Sequence, residues 1–216
     1  MTVIDPVRST VVAWYEALPE ALAKLVGRIH AAGAAFLGDA FVPRDPAQIH
    51  ATMIGLERAA GPFDPAPLAA HLHTVLAQPL TIRFGGFPRD DRRMLSRGSP
   101  LYERTVSVRD GRAVLMGWPV VDGAPSPVLA DVRNGCATLG VTHRYGTDPD
   151  VYLVVADVTA PTRGGTALEA ALRAELAVTA VHAPLSATDL CLVTYDDPAL
   201  PRASSTWRPL RRPTDR

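Results

Sequence analysis

A chain of 216 residues with 47% hydrophobic side chains can bury a substantial core, so it should be globular, as one large domain or two intimately packed lobes. Its 22 basic residues balance 22 acidic ones, so no overall positive field exists to attract long duplex nucleic acid, while a small anion can still be held locally. No apolar run approaches the roughly 20 residues that cross a bilayer, and the start lacks a charged segment followed by a signal-type apolar core. The chain is expected to be cytoplasmic, free of membrane and monomeric.

In chain order, residues 10–15 are rich in β-branched and aromatic side chains and predict a first strand. Pro19 opens a helix over 20–32, where Ala21, Leu22, Leu25, Val26 and Ile29 recur with helical spacing and Gly33 is the expected stop. A strand-like 35–37 and a proline-marked turn over 43–46 lead to a strand beginning at His50. Pro65 and Pro67 introduce a helix through about residue 77. His71 and His73 lie two apart on it and point in different directions, which makes them a poor chelating pair.

Residues 81–87 predict a strand ending in a glycine kink at Gly85 and Gly86. The charged loop 88–97, with Arg89, Arg92, Arg93 and Arg97 interleaved with Asp90 and Asp91, is expected to be solvated surface, with closure over an anionic ligand as the alternative. Residues 105–108 and 112–118 predict a hairpin across Asp110-Gly111, a strong turn dipeptide. A helix from Pro127 towards Leu139, a turn over 146–149, a buried strand over 151–158, a helix over 168–177 and a strand over 190–195 complete the pattern, with a frayed Pro/Arg-rich tail from Pro209. Cys136 and Cys191 lack paired spacing and are expected to be buried free thiols. His30 and His182 are expected on helix and loop surfaces, and His143 in a solvated loop from which it could alternatively reach a site.

Two short segments carry chemistry. On a strand alternate side chains share a face, so His50 and Thr52 project together, a proton-transfer group beside a hydrogen-bond donor, and such a pair can hold a phosphate. No Gly-rich phosphate loop, dinucleotide fingerprint or tandem repeat accompanies them. The second segment is Pro149-Asp150-Val151-Tyr152-Leu153 at the start of the later strand.

With Gln48-Ile49-His50-Ala51-Thr52-Met53 leading into Leu56, and a late strand at an Asp-Pro turn, the order of elements resembles the 2H phosphoesterases, which include RNA 2′,3′-cyclic phosphodiesterases and the 2′-5′ RNA ligase-like proteins. The resemblance spans residues 10–210 in layout and is motif-grade only at His50. It implies an α+β, two-lobed domain over 1–210, with antiparallel sheets around a central cleft, helices outside and a flexible basic tail over 211–216. In that family two His-x-Thr/Ser motifs face each other, one histidine acting as base and the other as acid, without metal or cofactor. Here Asp150 stands in the place of the second histidine and Tyr152 in that of the second hydroxyl. The implied site is therefore His50, Thr52, Asp150 and Tyr152, acting on a 2′,3′-cyclic phosphate, an RNA end or a small nucleotide phosphodiester. A desolvated Asp150 could act as a base or carry a proton, although a carboxylate repels an anionic phosphate. The alternatives are a degenerate module that binds nucleotides without turnover, and an α+β domain in which the His50 pair is incidental.

Overall fold

The computed structural model describes residues 4–59, 61–62, 64–144, 146–197 and 199–211. In chain order, β1 (Ser9–Ala13) leads into α1 (Glu20–Leu37), and β2 (Phe41–Pro43) and β3 (Ala51–Gly55) precede α2 (Ala66–Val75). Next come β4 (Leu80–Phe84), the short pair β5 (Leu95–Ser96) and β6 (Ser99–Pro100), and the one-turn α3 (Leu101–Arg104). A meander of β7 (Val106–Arg109), β8 (Arg112–Val121) and β9 (Ala124–Pro125) leads to α4 (Val128–Gly135) and then β10 (Val151–Val158). The chain closes with α5 (Thr162–Ala177), β11 (Val181–Leu185), β12 (Leu190–Tyr195) and β13 (Ser205–Pro209).

The class is α+β, built on a large antiparallel sheet whose main path runs β11-β4-β8-β10-β3-β1-β12-β13. One face of this sheet is sealed. Leu22, Leu25, Val26 and Ile29 of α1, Leu68 and Leu72 of α2, Leu129 and Val132 of α4 and Leu168 and Leu172 of α5 share a single cluster with Ala51, Met53, Leu153 and Val155. The alternation of strand side chains therefore commits 51 and 53 of β3, and 151, 153 and 155 of β10, to the core. It turns His50, Thr52, Tyr152 and Val154 to the opposite face.

That opposite face is flanked by two smaller apolar clusters. Val12, Tyr15, Cys191, Val193 and Leu200 form one, and Phe87, Leu101, Met116 and Trp118 form the other. Between them runs the seam of the sheet. β10 pairs with β8 from Val151 to Asp157, yet its only ladder position with β3 among the described residues is Leu153↔Ala51. The two motif strands touch at one point and then part.

Several sequence expectations are corrected. Gly33 does not end α1, which continues through the supposed strand at 35–37 to Gly38, a residue with φ 56 that suits a helix stop. Gly33 is instead where the Phe41 ring lies against the helix, 2.5 Å from the position a Cβ would take. α5 begins at Thr162, before the glycine pair, and β11 and β13 are strands that short, proline-bearing segments concealed. Pro209 pairs with Cys191, and Leu210 is buried with its N–H donating to the Leu190 carbonyl, so the frayed tail cannot begin at Pro209. The expected tail beyond Arg211 lies outside the described residues.

His182 lies on a strand rather than a loop, and His30 is half-buried, its Nε2 donating to the Val155 carbonyl at 2.7 Å. The hairpin at Asp110-Gly111 matches expectation, with φ of 52 and 70 at the two turn residues. Both cysteines are buried and free. Among the described residues no helix is long and apolar enough to cross a membrane.

Candidate active site

The open sheet face holds a cleft of about 450 Å³ lined by His50, Thr52, Asp150 and Tyr152, so the four residues singled out in the sequence share one cavity. The ladder at Leu153↔Ala51, carried along both strands, sets Thr52 level with Tyr152 and His50 level with Val154. Asp150 then falls four residues from His50 along the seam, on the order of 13 Å between Cα atoms. The hydroxyl residues occupy the middle, with His50 on one flank and Asp150 on the other.

His50 is oriented by its own chain. Its Nδ1 lies 2.7 Å from the Gln48 carbonyl, which only accepts, so Nδ1 carries the proton and Nε2 keeps the lone pair. The Tyr15 ring meets the imidazole edge-on at 5.8 Å. Burial lowers the pKa of His50 to about 4, the Gln48 bond opposing and nearby Arg44 assisting. A neutral imidazole with an available Nε2 is a base that stays deprotonated across the ordinary pH range.

The other flank is built differently. Asp150 is buried, and its Oδ2 accepts from Ser96 Oγ at 3.3 Å and from Arg104 at 3.4 Å. Arg97 pairs in the same way with the buried Asp148. The two carboxylates thus hold two guanidiniums at the edge of the cleft. Both Arg97 and Arg104 line it, together with Arg109, Arg112 and Arg144. Burial depresses the Arg104 pKa, Asp150 opposes this, and the positive charges of Arg97 and Arg109 add to it.

Within the charged loop 88–97, Arg89, Arg92 and Arg93 are exposed as expected, and only Arg97 reaches the cleft. His143 is buried rather than solvated. Its Nδ1 accepts the Gly55 N–H at 2.8 Å, and burial together with Arg133 and Arg58 lowers its pKa to about 3. Gly55 lies five residues from His50, about 16 Å along an extended strand, so His143 belongs to the far end of the cleft.

Arg133 is the residue that sequence reasoning missed. It projects from α4, is 2% exposed, and donates to the carbonyls of Thr52 (3.2 Å), Met53 (3.0 Å), Asp148 (2.7 Å) and Asp150 (2.8 Å). Where β3 and β10 part, a guanidinium replaces the missing ladder and fixes both motif segments. An arginine four residues after Leu129, on the helix face that Leu129 and Val132 mark as apolar, was the available signal.

No group of His, Cys, Asp and Glu among the described residues has the arrangement of a metal site. No family model matches the chain. No curated protein matches it either. Among solved structures it is similar to the crystal structure of TT0787 of Thermus thermophilus, at 17% identity and a TM-score of 0.45, covering 94% of this chain and 95% of that one.

Proposed function

We propose that the chain is a diverged, two-lobed 2H phosphoesterase-like domain that cleaves a small nucleotide phosphodiester or related RNA end. His50 is the general base, Thr52 donates to a phosphoryl oxygen, and Tyr152 donates from the facing strand. The observation that carries this reading is the tautomer of His50. The Gln48 carbonyl holds the proton on Nδ1, leaving Nε2 to accept a proton from water or a hydroxyl beside Thr52. The arginines of the opposite flank suit an anionic ligand, and Asp150 serves by holding Arg104 rather than by exchanging protons.

The second reading is a module that binds nucleotides without turnover, favoured by the ion-paired Asp150 where a second histidine would act as acid. Wild type and His50→Ala assayed with EDTA against 2′,3′-cyclic nucleotides, short RNAs with cyclic ends and cyclic dinucleotides separate the two. Loss of about 10² or more in turnover with an unchanged circular dichroism spectrum supports the enzyme. Equal turnover by both proteins refutes it, and binding without turnover selects the second reading.

A further inference from the structure

The two flanks of the cleft differ in what they can do with a proton. His50 can accept one, whereas Arg97 and Arg104 cannot give one up at any working pH, because a guanidinium in a protein stays protonated. A ribose oxygen leaving phosphorus needs a proton as it departs. A phosphate oxygen leaves as a stable anion and needs only positive charge to receive it. That positive charge is present, since five arginines line the cleft, set against Glu57, Asp110, Asp150 and the buried Asp148 that pairs with Arg97. Arg104 Nε is also buried without a hydrogen-bond partner among the described residues.

Behind Arg104 there is room for more than orthophosphate. Arg104 also lines a neighbouring open depression of about 690 Å³ shared with Arg89, Tyr102, Glu103, Glu169 and Arg173, in which Arg173 is paired with Glu169. The side of the cleft that receives a departing group is therefore bordered by a second hollow of mixed charge, to which Arg89 and Arg104 contribute cations.

We propose that the bond broken is a phosphoanhydride in a nucleotide, with the attacked phosphorus at Thr52 and the departing phosphate received by Arg97 and Arg104. This rests on the phosphoesterase reading above. Water adds its oxygen to phosphorus as His50 Nε2 takes its proton. The bridging P–O bond breaks, and its electron pair leaves on the bridging oxygen of the departing phosphate. Two phosphate-bearing products result, with no proton supplied to the leaving group in the step. A base as weak as His50, held near pKa 4, suits a reactive anhydride better than a diester with an alkoxide leaving group.

The test compares three substrates with the full chain: diadenosine tetraphosphate, 2′,3′-cyclic AMP, and bis(4-nitrophenyl) phosphate, whose leaving group needs no proton and carries no phosphate. The expected result is that the anhydride is cleaved faster than the cyclic nucleotide. Arg104→Gln should lower kcat/KM for the anhydride by about 10²-fold, the usual loss of one charge-stabilising donor, and by at least about tenfold more than for the aryl diester. An unchanged circular dichroism spectrum reports that the variant is folded, and Arg97→Gln gives a second, independent variant. His50-dependent cleavage of the cyclic nucleotide or the aryl diester without the anhydride overturns this inference and leaves the phosphoesterase reading intact. The absence of His50-dependent turnover on all three overturns both.

Discussion

Replacing Arg133 by methionine should cost the fold about 3–5 kcal/mol. Its guanidinium makes four hydrogen bonds to backbone carbonyls of the two motif segments, between 2.7 and 3.2 Å, and is 2% exposed. At about 1–1.5 kcal/mol net for each bond, the set contributes on the order of 4–6 kcal/mol, against which stands the cost of stripping water from the charge. Methionine fills much of the volume but satisfies none of the carbonyls, and the one ladder position that β3 and β10 share among the described residues, Leu153↔Ala51, pairs none of the four residues that carry them. Against a typical domain stability of about 5–15 kcal/mol, the loss is large. Urea unfolding of wild type, Arg133→Lys and Arg133→Met should give falling midpoints in that order with a similar m-value, because an ammonium cannot span all four acceptors. A loss below about 1 kcal/mol in Arg133→Met would refute the idea that this side chain replaces the missing ladder.

The remaining predictions concern pH, backbone and chemistry. His50 and His143 have folded-state pKa values lowered from 6.5 to about 4 and about 3. The unfolded chain therefore binds more protons as pH falls, and stability should be full above about pH 6.5 and decline towards pH 3. Urea midpoints across that window in wild type and His50→Gln check it, with a flatter profile expected in the variant. If His50 is the base, kcat/KM should hold down to near pH 4 and fall below that, and an acid limb at pH 6–7 would count against its assignment. Gly33→Ala, which in an open helix position would add up to about 1 kcal/mol, should instead destabilise by about 1–3 kcal/mol because the Phe41 ring occupies the Cβ position. Thermal unfolding decides its sign.

What local pattern can encode was legible in the chain. The apolar run over 151–158, the helical spacing of Leu22, Leu25, Val26 and Ile29, and the Asp110-Gly111 turn each depend on neighbours a few residues away. That His50 and Thr52 share a face followed from their strand positions, whereas their meeting with Asp150 and Tyr152 in one cleft was what the resemblance to the 2H phosphoesterases implied. The extent of α1 past Gly33 did not, because a ring eight residues further on determines whether that glycine stops a helix or admits a neighbour. Nor did β11 and β13, whose pairing partners β4 and β12 supply the order that their own residues lack.

The site divides in the same way. Local sequence set the proton position of His50, because a carbonyl two residues away fixes it, whereas the low pKa of that imidazole comes from burial. Only the tertiary structure placed Arg97, Arg104 and Arg133, which are held through partners 15 to 81 residues distant. A guanidinium on a long arm looks alike in sequence whether it rests in water or is stripped of it, and only packing from distant parts of the chain removes the water.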